Sequence, residues 1–88
     1  MTSFEKFLND MGYSLEQQES DKWTFYKKVN FHKFVIVFNI KNKYISVLVI
    51  PGCISSEEQM KFFVSEFLKF KNDYKKLSKL SNYKLIDE

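Results

Sequence analysis

Few side chains in this sequence are suited to catalysis or to metal binding. The 88 residues include one histidine, His32, and one cysteine, Cys53. A nucleophilic thiol needs a basic neighbour, and a structural zinc site needs four Cys or His ligands. The carboxylates of Glu57 and Glu58 follow two serines, a pattern typical of a helix start, where the helix dipole favours negative charge. We therefore predict no enzymatic activity, no catalytic residue, no metal site and no cofactor.

The composition predicts a small domain with an aromatic core. Ten Phe, five Tyr and one Trp supply the large buried area that a short chain needs to fold. We assign residues 1–80 to one domain and residues 81–88 to a C-terminal tail. The first five residues lack the basic start and apolar run of a signal peptide. The longest apolar runs, 34–38 and 47–50, are too short to cross a membrane, so a cytoplasmic location is expected.

Hydrophobic periodicity predicts two helices around three strands. The first helix carries an apolar stripe from Phe4 to Met11 and ends at Gly12. The polar residues 14–21 are predicted as a loop, and 23–29, 33–40 and 44–50 as strands. His32 then falls in the first hairpin and is expected to be exposed. The second helix is expected to begin at Ser55, with Glu58 completing a capping box.

These elements predict an α+β fold of order αβββα, a three-stranded antiparallel sheet with two helices packed on one face. A turn at Asn42 and Lys43 would place Phe38 opposite Val47 on the inner face. The outer face would then combine aromatic, basic and aliphatic side chains. Such a mixed face is either an ordinary solvated surface or a contact site. The candidates for partner binding on it are Tyr26, Lys28, Val35, Val37, Tyr44 and Leu48.

The second helix adds one further candidate, Phe62. The inward stripe of this helix consists of Met60, Phe63, Val64, Phe67, Phe70, Tyr74 and Leu77. Phe62 falls on the opposite side, in the sector of Lys69 and Lys76. It is expected to be covered by the C-terminal tail, to be simply exposed, or to anchor a partner protein.

The order αβββα resembles that of the double-stranded RNA-binding domain, which contacts RNA through a basic cluster at the start of its second helix. Residues 55–59 are acidic and polar here, Ser-Ser-Glu-Glu-Gln, so this contact is not expected. The remaining nucleic-acid hypothesis is stacking of bases on Tyr26 and Tyr44, with Lys28 and other lysines contacting phosphates. The net charge of +3 does not by itself require such a partner.

In size and composition, and in its lack of catalytic motifs, the chain resembles small phage-encoded inhibitors of host machinery, including anti-CRISPR proteins. This resemblance implies a non-catalytic protein from a phage or mobile element that binds and inhibits a host defence protein in the host cytoplasm. It would act through the outer sheet face or the second helix, and a homodimer through either surface is an option. Nucleic-acid binding through the outer sheet face is the alternative.

Overall fold

The computed structural model describes residues 2–86 and shows two helices and a five-stranded sheet. The elements in chain order are α1 (Thr2–Asp10), β1 (Ser14–Gln18), β2 (Lys22–Val29), β3 (His32–Asn39), β4 (Tyr44–Ile50), α2 (Glu57–Ser81) and β5 (Lys84–Leu85). The strands lie in the order β1-β2-β3-β4-β5, and the first four pair antiparallel. The last strand, β5, runs parallel to β4. The predicted α+β class is confirmed.

The predicted order αβββα with three antiparallel strands is wrong, because the sheet has five strands and is mixed. Residues 14–18, expected in a loop, form β1 at one edge of the sheet. Most of β1 is polar and exposed, so it lacks the apolar alternation that identifies a strand. A bulge at Glu16 interrupts its pairing with β2, and Leu15 is its one large apolar residue. Pairing with β2, not local propensity, makes this segment a strand.

The segment predicted as a C-terminal tail contributes to the fold in its described part. Helix α2 continues to Ser81, and Asn82 ends it in the left-handed conformation, at a φ of 60°. The chain then reverses and β5 pairs with Tyr44 and Ile45. The ring of Tyr83 packs edge-on against Phe38 in the core, with 5.7 Å between ring centroids. Residues 87–88 of the predicted tail lie outside the described part of the chain.

Both helices pack on one face of the sheet, as predicted, and the core lies between the helices and this inner face. Phe4 of α1 stacks on Phe38, and Phe70 of α2 packs on Phe34 at 5.0 Å between ring centroids. The fully buried side chains of this core are Leu8, Tyr13, Phe25, Phe34, Ile36, Phe38, Ile45, Phe70 and Leu77. Most of its volume is aromatic, as expected for a short chain.

The predicted register of β3 and β4 is wrong by two residues. Phe38 lies opposite Ile45, not Val47, and residues 40–43 form the loop in place of a two-residue turn. The side chain of Asn39 accepts a hydrogen bond from the amide of Asn42 (2.9 Å) and so stabilises the longer loop. Because side chains alternate with a period of two, a shift of two residues leaves every side chain on its predicted face.

Helix α2 begins one residue later than predicted. Its N-cap is Ser56, whose hydroxyl accepts a hydrogen bond from the amide of Gln59 (3.1 Å). Gln59 in turn accepts from the amide of Ser55, so the reciprocal pattern predicted for Ser55 and Glu58 is made by other residues. Within residues 2–86, the structure contains no helix that is both long enough and apolar enough to cross a membrane.

Candidate interaction surface

The outer face of the sheet brings three of the predicted candidates into one row. Tyr26, Val35 and Leu48 lie side by side on β2, β3 and β4. Val35 is only 5% exposed, since its neighbours cover it, whereas Leu48 at the sheet margin is 54% exposed. The apolar centre expected on this face is therefore smaller than the sequence suggests, and its accessible part is shifted to β4.

The basic and aromatic groups of the outer face are engaged with one another. Lys33 forms an ion pair with Glu16 of β1, and its ammonium lies 5.1 Å from the ring centroid of Tyr26. The ring of Tyr26 is thus already in a cation–π contact with Lys33. Tyr44 lies at the far end of the sheet, where its hydroxyl accepts a hydrogen bond from the amide group of Asn39 (3.3 Å). The two tyrosines are therefore not adjacent, and the face offers no paired stacking platform.

The other two candidates of this face are placed apart from that row. Val37 is half-buried in the adjacent row, between Thr24 and Ser46. Lys28 is exposed near the first hairpin and lies directly opposite Lys33. Since Lys33 turns toward Glu16, the two ammonium groups do not compete for one partner.

The prediction that His32 is exposed is wrong, because it is only 4% exposed at the start of β3. Its Nδ1 accepts a hydrogen bond from the backbone amide of Gly52 (2.9 Å), which follows β4. The imidazole also packs against Phe63 and Phe62, at 4.8 and 6.4 Å between ring centroids. His32 is thus a structural residue that joins the first hairpin, the loop after β4 and helix α2.

Phe62 lies beside this histidine. The described part of the C-terminal segment pairs at the other end of β4 and does not cover Phe62, which was one of the three expectations for this residue. It remains partly exposed and lines a shallow cavity of about 220 Å³. The other residues of this cavity are Asn30, Phe31, His32, Cys53, Glu58 and Gln59. We refer to Asn30, Phe31, Cys53, Glu58, Gln59 and Phe62 as the hairpin-end surface. It combines two accessible aromatic rings with a rim of polar groups and one carboxylate.

Phe31 is the most exposed large apolar residue of this surface, at 84%, and it is not among the candidates predicted from the sequence. It occupies the second position of the two-residue turn between β2 and β3, after Asn30 with a φ of 55°. Side chains at such a position point away from the sheet. The signal was present in the sequence, since an Asn followed by one residue between two strand patterns predicts a two-residue hairpin.

His32 and Cys53, the two side chains with reactive groups considered above, line the same cavity, but no hydrogen bond joins them among the residues that the structure describes. The thiol of Cys53 is exposed on the hairpin-end surface and forms no disulfide. Nδ1 of His32 is already occupied by the Gly52 amide. Among the residues that the structure describes, no three His, Cys, Asp or Glu side chains are grouped so as to bind a metal ion.

A second polar cluster lies on the other flank of α2 and ties the helix to the sheet. The hydroxyl of Tyr13 donates a hydrogen bond to Asp73 (3.1 Å), and the ammonium of Lys27 lies 5.4 Å from the Tyr13 ring centroid. Lys27 also donates to the carbonyl of Met11 (3.2 Å). Burial raises the pKa of the Tyr13 hydroxyl, and the negative charge of Asp73 raises it further. These contacts orient α2 relative to the sheet.

The comparisons with known proteins do not assign the chain to a family. No family model matches it, no curated protein matches it in sequence, and no solved structure matches its fold.

Proposed function

We propose that the chain is a non-catalytic protein-binding domain that contacts its partner through the hairpin-end surface. The observation that carries this proposal is that Phe31 is 84% exposed on a turn that is held in place by its contacts with His32 and Gly52. A large aromatic side chain that is exposed to water is stabilised by burial in a partner pocket.

The rigidity of the Phe31 turn lowers the entropic cost of binding. The next residue, His32, is buried against Phe63 and bonded to Gly52. The backbone of Phe31 also packs directly on Gly52, at a distance that leaves no room for a Cβ atom. Because the turn is ordered before binding, association does not have to pay for ordering it.

The specific form of this proposal is inhibition of a host defence protein by a phage-encoded or mobile-element protein in the host cytoplasm. It is supported by the small size of the domain, its aromatic contact surface and the lack of an assembled catalytic site in the described residues. A blocking protein needs only a stable scaffold and one contact surface, and the chain has both. Phe62 is the predicted candidate that lies on this surface, beside Phe31.

Binding of single-stranded nucleic acid through the outer sheet face is less well supported. The stacking surface of Tyr26 is occupied by Lys33, which is neutralised by Glu16. Titration of fluorescent DNA and RNA oligonucleotides at low salt tests this alternative. Binding that weakens steeply with salt and requires Tyr26 and Tyr44 would favour it over the protein-binding proposal.

The protein-binding proposal is tested with immobilised wild-type protein and two serine variants in lysates of bacteria that carry defence systems. Phe31→Ser removes the exposed ring, whereas Leu80→Ser is a matched change of another exposed apolar residue, at the far end of α2. We expect wild type and Leu80→Ser to retain the same protein and Phe31→Ser to lose it. In cells, wild type and Leu80→Ser should both relieve the block to phage growth. Equal recovery by all three proteins, or recovery of none, would contradict the proposal.

A further inference from the structure

Half of strand β4 has an uncovered edge. On one side β4 pairs with β3 along its whole length, but on the other side β5 pairs only with Tyr44 and Ile45. The amide of Ile86 bonds the carbonyl of Ile45, so the odd-numbered residues of β4 point their backbone groups toward this edge. Among the described residues, no strand lies beside residues 47–50. The backbone N–H and C=O groups of Val47 and Val49 therefore face outward, where they can pair with another strand.

The uncovered edge is also apolar. On the outer face, Leu48 and Ile50 are 54% and 47% exposed. On the helix side, Met60, Val64 and Leu68 are exposed at a spacing of four residues, although Met60 and Val64 were predicted to face the core. A long apolar edge is rare in a monomer because it promotes strand pairing with other molecules. The edge at β1, by contrast, is polar and bulged.

We propose that β4 pairs antiparallel with β4 of a second copy of this chain, about a twofold axis beside Val49. The two Val49 residues then exchange hydrogen bonds. On the outer face, Leu48 packs against Ile50 of the second copy and Ile50 against its Leu48. The twofold axis thus generates the same contact on both sides, so Leu48 and Ile50 are covered in both copies. The two sheets join into one continuous sheet of ten strands.

The position of the axis follows from the neighbours of β4. A twofold axis beside Leu48 would place Ile50 of the second copy next to Ser46, where Ile86 already lies against the strand. An axis beside Val49 instead ends the strand of the second copy at Pro51, opposite Val47, because Gly52 of that copy turns away to bond its own His32. Proline has no N–H, but its carbonyl can accept the hydrogen bond that the Val47 amide has to offer.

The charges of α2 are complementary to such a twofold arrangement. Phe63 near the start of α2 stacks on Phe34, whose partner on β4 is Val49, so the first turns of α2 lie near the axis. The axis reverses the second copy, so the two helices run antiparallel. Glu57, Val64 and Lys71 share one face of α2, since they are seven residues apart. The antiparallel approach brings Glu57 of each copy toward Lys71 of the other, with the apolar residues between them.

This charge pattern favours a second copy over an unrelated peptide. A foreign strand could satisfy the backbone groups of Val47 and Val49, and a reversed copy of α2 in addition places a lysine opposite Glu57 and an acid opposite Lys71. The bulged, polar β1 edge disfavours further addition of strands, so the assembly closes at two copies. Phe31 lies in the turn between β2 and β3 and is not among the residues of this contact.

Sedimentation equilibrium over protein concentrations from about 10 µM to about 1 mM tests the proposal. The wild-type mass should rise from 10.6 kDa toward twice that value. Leu48→Lys with Ile50→Lys should weaken dimerisation at least about tenfold, because it places lysines against each other across the axis. Val37→Lys is the matched control, since it changes the same sheet face away from the edge, and it should dimerise like wild type. Circular dichroism establishes that each variant is folded.

A charge exchange tests the antiparallel arrangement of the helices. Glu57→Lys should weaken the dimer, and Glu57→Lys combined with Lys71→Glu should restore it. Two results would overturn the proposal: a wild-type protein that stays monomeric over the whole range, and dissociation by Val37→Lys without dissociation by the edge variant. Failure of the charge exchange to restore association would overturn the antiparallel twofold contact. None of these three results bears on Phe31, so the proposed function stands or falls separately.

Discussion

The backbone amide of Gly52 donates a hydrogen bond to Nδ1 of His32 over 2.9 Å, and this bond joins two loops that are 20 residues apart. The same loop approaches the β2–β3 turn so closely that a Cβ atom on residue 52 would collide with Phe31. The bond therefore holds the turn that presents Phe31 to solvent.

We expect Gly52→Ala to destabilise the fold, since an added Cβ would lie 2.5 Å from Cβ of Phe31 and 2.6 Å from its carbonyl oxygen. Both positions are fixed by backbone, so the turn must move. Overpacking of this kind costs about 1–3 kcal/mol. Thermal unfolding measures the loss, with Cys53→Ala as the control, because Cys53 is the next residue and is exposed. Equal melting temperatures for the two variants would contradict the close contact.

Removal of the His32 acceptor should leave the Gly52 amide without a hydrogen-bond partner. We expect His32→Ala to cost about 1–3 kcal/mol for the unpaired amide, in addition to the lost contact with Phe63. His32→Asn keeps an acceptor on the same side-chain carbon, whereas His32→Phe keeps a ring without the acceptor. Hydrogen exchange of the Gly52 amide separates the two contributions.

In that experiment, protection of the Gly52 amide should persist in His32→Asn and be lost in His32→Phe and His32→Ala. Binding of a partner through Phe31 should weaken in the two variants that lose protection. If the amide of His32→Phe exchanged as slowly as that of wild type, the bond would not be what holds the loop.

The assignment of side chains to sheet faces could be predicted from the sequence, but the number of strands in the sheet could not. Ile36 and Phe38 are fully buried, as their alternation with Val37 predicts. The error of two residues in register arose because the side chain of Asn39 stabilises a loop that apolar patterning does not report. A polar edge strand such as β1 acquires its structure from a neighbour, so its own residues contain little signal.

The candidate site was harder to predict than the fold because its residues come from distant segments. The sequence places Phe62 on the polar side of α2. Its neighbour His32 is 30 positions away in the chain, and the position of His32 depends on Gly52. Val35 was predicted to be accessible, yet cross-strand neighbours bury it. Phe31 could have been found, since the hairpin register alone points it into solvent.

The contact between Tyr13 and Asp73 predicts a pH dependence of stability. Burial raises the pKa of Asp73 above its ordinary value, although the Tyr13 hydrogen bond and the charges of Lys27 and Lys76 oppose that shift. A raised folded-state pKa means that the carboxyl group favours folding when it is protonated. This contribution is fully present below the unfolded-state pKa and is lost as the pH rises through the folded-state value.

Asp73→Asn should therefore gain stability relative to wild type as the pH rises, because an amide stays neutral and its oxygen can still accept the Tyr13 hydrogen bond. Urea unfolding at about pH 3 and at about pH 7 measures the difference between the two proteins. Tyr13→Phe removes a hydrogen bond that lowers the pKa of Asp73. In Tyr13→Phe that pKa should rise further, and the loss of stability should extend to higher pH than in wild type. Parallel pH profiles for wild type and Asp73→Asn would show that the ionisation of Asp73 is not linked to folding.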